Sequence, residues 1–141
     1  MPLGNTEPFL LNVKTMNKSN AAQIALGKVA IRDTALTPDG WKQAASAGAD
    51  GPFCVAVNSL YATTDTIFSA AFAPSEVMVK AGAGIQPGEF VKVDANGDVV
   101  PHVTGTDSEV KIVGRYLGKE GENTPAAAVL NDVCRVRLGM G

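Results

Sequence analysis

The chain has 141 residues and a formal net charge of −2, so it is long enough for one domain that buries about two-thirds of its unfolded surface, and it lacks the basic excess that nucleic-acid binding needs. Charged residues make up only 18% and aromatic residues 6%, and no apolar run approaches the ~18 residues of a membrane helix. The N-terminus has neither a charged start nor a sustained apolar stretch, which predicts a protein made in a cytoplasm without a signal peptide and with no membrane partner. Charge is uneven along the chain: residues 1–32 sum to +3, residues 33–110 to −7 and residues 111–141 to +2.

Residues 1–24 read as an extended N-terminal arm, and residues 25–141 as a single β-rich domain. Pro2, Gly4 and Pro8 disfavour a helix, and Phe9-Leu10-Leu11 is a short apolar anchor ahead of a polar run. Such an arm is best held on a neighbouring molecule; the alternative is an edge strand of its own domain. From Gly27 to Asp33 the chain alternates, with Val29 and Ile31 on one face. Phe53 to Val57 is continuously apolar, which suits a strand covered on both faces or a subunit contact.

Further strands are predicted at 66–72, 76–80, 110–116 and 133–138. Between them, residues 81–100 read as a Gly/Pro turn, a strand with Val91 and Val93 on one face, a type I′ turn at Asn96-Gly97, and a return strand from Val99. Short helical turns are predicted at Lys42–Ala49 and at Thr124–Asn131, the second capped by Thr124 with Pro125 at the first helical position. No internal repeat is visible. The whole predicts a mainly β fold: a small β-barrel or sandwich with an N-terminal arm and one or two short helical turns.

The residues that carry chemistry elsewhere are thinly spread. Gly82, Gly84 and Gly88 superficially follow a dinucleotide-binding pattern, but Pro87 and a following strand stand where a helix should open, so the segment is a turn. Asp94-Ala95-Asn96-Gly97-Asp98 starts like a calcium loop and then has Val99 and Gly105 where Gly and Glu belong, which makes it a polar hairpin. His102 is the only histidine and reads as solvent-facing; one His and two distant Cys predict no zinc site. Cys54 and Cys134 sit in apolar strands, and their spacing leaves a disulfide open. Trp41 reads as a core or interface plug.

Arg135 and Arg137 alternate with apolar residues on the last strand, and Lys111 and Arg115 share a face of theirs. If these strands are neighbours a basic stripe results, serving either an acidic partner or a solvated, edge-guarding face. No catalytic group and no cofactor site is predicted.

The segment from Glu76 to the end resembles a family of small tailed-phage capsid decoration proteins, also called head-stabilisation or cement proteins. The likeness rests on Gly84, Pro87-Gly88, Val91, Val93-Asp94, Asn96-Gly97, Val99, Ile112, Gly114, Leu117, Val136 and Leu138. This chain differs from the shorter members by its longer portion 1–52 and an Ala-rich insertion before the last strand. The resemblance implies a small β-barrel, commonly a homotrimer, that clamps joints between subunits of the major capsid protein on the outside of the virion. It further implies that the arm adds as a strand to the shell, with Phe9, Leu10, Leu11, Val13, Lys14 and Lys18 as partner-binding residues. Two other readings stay open: another phage subunit of tail or connector, or a ligand-binding or hydrolytic barrel centred on His102.

Overall fold

A computed structural model describes residues 10–19, 23–33, 40–119 and 125–139. Among these residues ten strands are found: β1 Val13–Asn17, β2 Val29–Asp33, β3 Gly40–Gln43, β4 Phe53–Ala56, β5 Ile67–Ala71, β6 Glu76–Lys80, β7 Phe90–Val93, β8 Val99–Pro101, β9 Gly114–Lys119 and β10 Val133–Leu138. They form two five-stranded sheets, sheet I in the order β1-β5-β4-β2-β3 and sheet II in the order β6-β10-β9-β7-β8, with every strand pair antiparallel.

The two orders are the same order. Strands 6–10 repeat the connectivity of strands 1–5, so the chain is a tandem of two like-folded units, although no repeat is visible in its sequence. The agreement extends to single backbone hydrogen bonds. Ile24 and Tyr61 exchange a pair of bonds in unit 1, as Ile85 and Ala128 do in unit 2. Gly27 donates to the Ala56 carbonyl and Gly88 to the Tyr116 carbonyl, and both glycines take a left-handed φ, 76° and 84°, that residues with a Cβ avoid.

Neither sheet closes into a barrel, so the layered alternative is the one found. In sheet I the outermost strands meet at a single parallel bridge, Lys18 to Trp41, and in sheet II at another, Ala81 to Val99.

Alternation explains where the core lies. On β7, Val91 and Val93 are fully buried while Lys92 is half-exposed. Val91, Val93, Val99, Tyr116, Cys134 and Val136 of sheet II share one apolar cluster with Val29, Val55, Val57 and Ala71 of sheet I. A second cluster, of Ile24, Ala30, Trp41, Cys54, Ala56, Phe68 and Ala70, occupies the opposite face of sheet I. β4 is therefore covered on both sides, which is why its sequence is continuously apolar.

Three local expectations are corrected. Lys42 and Gln43 end β3 rather than opening a helix, and residues 125–131 are not helical; Thr124, the expected cap, lies outside the described residues. The one helical turn among the described residues is a 3-10 turn at Glu109–Lys111, whose Val110 N–H is capped by the Ser108 hydroxyl. At the β7–β8 hairpin only Gly97 has a positive φ, 78°. The Asp94 carboxylate accepts from the N–H groups of Asn96 and Asp98, 2.8 and 3.0 Å. This side-chain turn holds Asn96 out of the left-handed conformation that a type I′ turn would require.

Candidate functional site

The residues expected to bind a partner through the arm divide into two groups, with Phe9 outside the described residues. β1 pairs along its whole length with β5, Val13 opposite Ala71 and Asn17 opposite Ile67, so this part of the arm is an edge strand of its own sheet. Leu10 packs against the main core, and the N–H groups of Leu11 and Asn12 both donate to the Ser75 hydroxyl at 3.0 Å. Lys18 is buried: its ammonium donates to the Ser19 carbonyl at 2.9 Å, and desolvation pushes its pKa down against the raising effect of Asp65. Leu11, Val13 and Lys14 are exposed.

His102 is buried, not solvent-facing. It lines a cavity of about 200 Å³ with Phe90, Thr104, Asp107 and Glu109. Its Nε2 lies 3.0 Å from the Ser108 carbonyl, which can only accept, so Nε2 carries the proton and Nδ1 is a buried atom without a partner. Asp107 is held by the Lys92 ammonium and the Val103 N–H, both at 2.8 Å, and these bonds lower its pKa. The Ser108 hydroxyl accepts from Val110. Among the described residues no hydroxyl or thiol is hydrogen-bonded to His102.

The glycine-rich and acidic turns are structural. A Cβ on Gly82 would sit 2.0 Å from Asp94 Oδ2, so a side chain there would displace the carboxylate that organises the hairpin. Asp98 is paired with Lys28 across the seam between the two units, Nζ to Oδ1 2.5 Å. No group of three metal-ligating side chains occurs among the described residues. Trp41 is 3% exposed and meets Phe72 edge-on at 5.6 Å, a core plug. Cys54 and Cys134 are buried free thiols.

The basic stripe does form. β9 and β10 are neighbours, and Arg115 lies directly opposite Arg137. Arg135 is two residues along the same face, and Phe90 is paired with Arg115 on the other side. The Arg115 guanidinium stacks over the Phe90 ring at 4.6 Å. Lys111 is not part of the stripe; it turns to unit 1, where its ammonium donates to the Gly48 carbonyl at 2.6 Å and meets Asp50 at 3.1 Å. Both arginine strands are interior to sheet II, so the reading of the stripe as an edge guard does not hold. An alternation of Arg with Cys, Val and Leu on β10 was the signal in the sequence. The register that sets Arg115 against Arg137 was not readable from it.

No protein-family model and no curated protein matches this sequence. In fold, the chain is similar to the crystal structure of the N base of the head fiber gp8.5 of bacteriophage phi29. The TM-score is 0.64 at 14% sequence identity, over 91% of this chain and 95% of that one. Among the described residues no helix is long and apolar enough to cross a membrane.

Proposed function

We propose that this chain is a virion structural protein of a tailed phage, bound to the outside of the assembled head and stabilising it as a decoration protein, by binding and without catalysis. The observation that carries this reading is the likeness of fold, over nearly the whole of both chains, to the base of a phage head fibre. The resemblance of residues 76–141 to capsid decoration proteins supports the same reading. Its partners are the major capsid protein and further copies of itself, as a homotrimer, and it takes no cofactor.

Stabilisation of this kind is a matter of differential affinity. A protein that binds the assembled shell and not its free subunits shifts the equilibrium toward the shell. Repetition over a lattice makes modest single contacts collectively strong. Residues 13–17 are the edge strand of sheet I, paired on one side with β5, and so are not a free arm segment waiting to be ordered by the shell.

The test is co-sedimentation of the purified protein with heads from the parent phage that lack it. Saturable pelleting at micromolar concentration, together with a trimer mass by light scattering, is the expected result. Heads that pellet without it overturn the reading.

A further inference from the structure

We propose that the outer face of sheet II, centred on Arg115, Arg135 and Arg137 with Phe90, is the docking surface of this protein, and that its occupant is a protein surface presenting carboxylates. The inference rests on the function proposed above, which makes the occupant a subunit of the shell.

Four features of the face point the same way. Like charges placed directly opposite on neighbouring strands destabilise a sheet, and Arg115 and Arg137 are so placed. Of the three arginines only Arg137 has a carboxylate near it among the described residues, Glu76 at 3.7 Å. The Nε atoms of Arg115 and Arg135 are buried and without an acceptor. A guanidinium stacked on Phe90 is held in place before any partner arrives, which reduces the entropy lost on docking.

The tandem supplies a fifth. Register places Val29, Val55 and Ala71 of unit 1 where unit 2 has Phe90, Arg115 and Arg137. In unit 1 this face is apolar and buried in the cluster shared with sheet II. The same face of the same fold is thus buried between the sheets in unit 1, whereas in unit 2 Phe90, Arg115 and Arg135 are half-buried and Arg137 is exposed among the described residues.

The residue types select the occupant. Arginine and aromatic residues are the ones enriched in protein interfaces, and a guanidinium fork matches a carboxylate in two parallel bonds. A long polyphosphate is the poorer fit, since the stripe is short and residues 33–110 carry a charge of −7 that would repel the rest of the polymer.

The experiment measures the affinity of the wild type, of R137E alone and of the triple variant R115Q/R135Q/R137Q for heads lacking the protein, at about 50 and 200 mM salt, with thermal midpoints alongside. Wild-type binding that weakens with salt, and a loss of about thirtyfold or more in the triple variant, is expected. Arg137 is the most exposed of the three, so R137E, which gives up the Glu76 pair but relieves the opposition to Arg115 and is expected to stay folded while losing about tenfold, decides the matter if the triple variant does not fold. Wild-type affinity in a folded triple variant overturns the docking face and leaves the decoration role standing. No binding by the wild type overturns both. A competition arm separates the chemistries: if short single-stranded DNA displaces the protein at lower concentration than poly-glutamate does, the face reads phosphate and the carboxylate assignment is wrong.

Discussion

Unit 1 and unit 2 share strand order, bridges and turn geometry, yet they fill their interiors in opposite ways. At matched register positions unit 1 has Ala56, Phe68, Trp41 and Cys54 where unit 2 has Tyr116, Cys134, Val99 and Gly114. At these four positions one unit places the larger side chain and the other the smaller, whereas Ile24 and Ile85 are alike, and all of these positions are buried. Interiors respond to the summed volume and to the period of burial, and individual identities are free to drift so long as those are kept. The outer faces differ for another reason. Unit 1 turns Val29, Val55 and Val57 toward unit 2 and must be apolar on both faces; the matching face of unit 2 carries arginines that are half-buried or exposed among the described residues.

The largest test of this comparison is at Tyr116. It is fully buried, and its hydroxyl donates to the Ala126 carbonyl at 2.5 Å. Tyr116→Ala is expected to cost about 3–5 kcal/mol in denaturant unfolding, by cavity and lost hydrogen bond together. Trp41 is the only tryptophan and lies in unit 1, so its fluorescence reports on the other half of the molecule. Because one apolar cluster joins the two sheets, the Trp41 transition is expected to move with the far-UV circular dichroism transition. A fluorescence midpoint that stays put while the ellipticity midpoint falls breaks the tandem into independent units.

Next in size is Gly114, whose unit 1 counterpart Cys54 bears a side chain. A Cβ on Gly114 would lie 2.1 Å from the Arg137 carbonyl oxygen and 2.8 Å from Val136 Cγ1. The difference comes from length: β10 runs on to Leu138, which pairs with Gly114, whereas the β4–β5 ladder ends at Val55–Ala71. Gly114→Ala is expected to destabilise by about 2–3 kcal/mol, since the obstruction is backbone. Cys54→Ala is expected to cost about 1 kcal/mol, and a neutral Gly114→Ala would show that the final β9–β10 pair is not formed in solution.

Much of the layer structure was readable because burial on one face leaves an alternating pattern and burial on two faces a continuous one. β7 and β4 are the clearest cases. The repeat was hidden by the volume exchange just described: between Ile24-Ala25-Leu26-Gly27 and Ile85-Gln86-Pro87-Gly88 only the first and last residues agree. Of the expected arm, residues 13–17 form the edge strand that was the alternative reading; β1 is mostly exposed, and in sequence an edge strand cannot be told from a strand awaiting another molecule. His102 was misplaced because its burial comes from the chain folding back through Ser108, a contact that local polarity conceals. The arginine face was legible as a stripe and not as a like-charge pair, since cross-strand register is a property of the fold.

A smaller effect is expected at the seam. Lys28 of unit 1 and Asp98 of unit 2 meet with side chains 19% and 5% exposed. Asp98→Asn is expected to cost about 1.5 kcal/mol, because a charged donor loses its charged acceptor in a site largely closed to water. A double-mutant cycle with Lys28→Met isolates the pair, and a coupling indistinguishable from zero would mean that the units are held by apolar contact alone.

The smallest effect separates the two interiors by their thiols. Burial raises the pKa of both, and Cys134 is pushed up to about 12, with Asp132 adding to the desolvation. In the unfolded chain each thiol ionises near its ordinary value of 9.0. The native state therefore binds more protons than the unfolded state above that pH, and stability falls as pH rises from about 9 toward 12, while it is unaffected by these groups below about pH 8. At pH 9.5 each thiol contributes a loss of just under about 1 kcal/mol. Cys134→Ala is expected to flatten the alkaline slope by that amount relative to its own stability at pH 7.5. Neither native thiol is expected to react with a disulfide reagent at pH 8 before unfolding. Rapid labelling of Cys54 alone would mean that unit 1 opens while unit 2 stays shut, and the two interiors, for all their common topology, would then differ in stability as well as in composition.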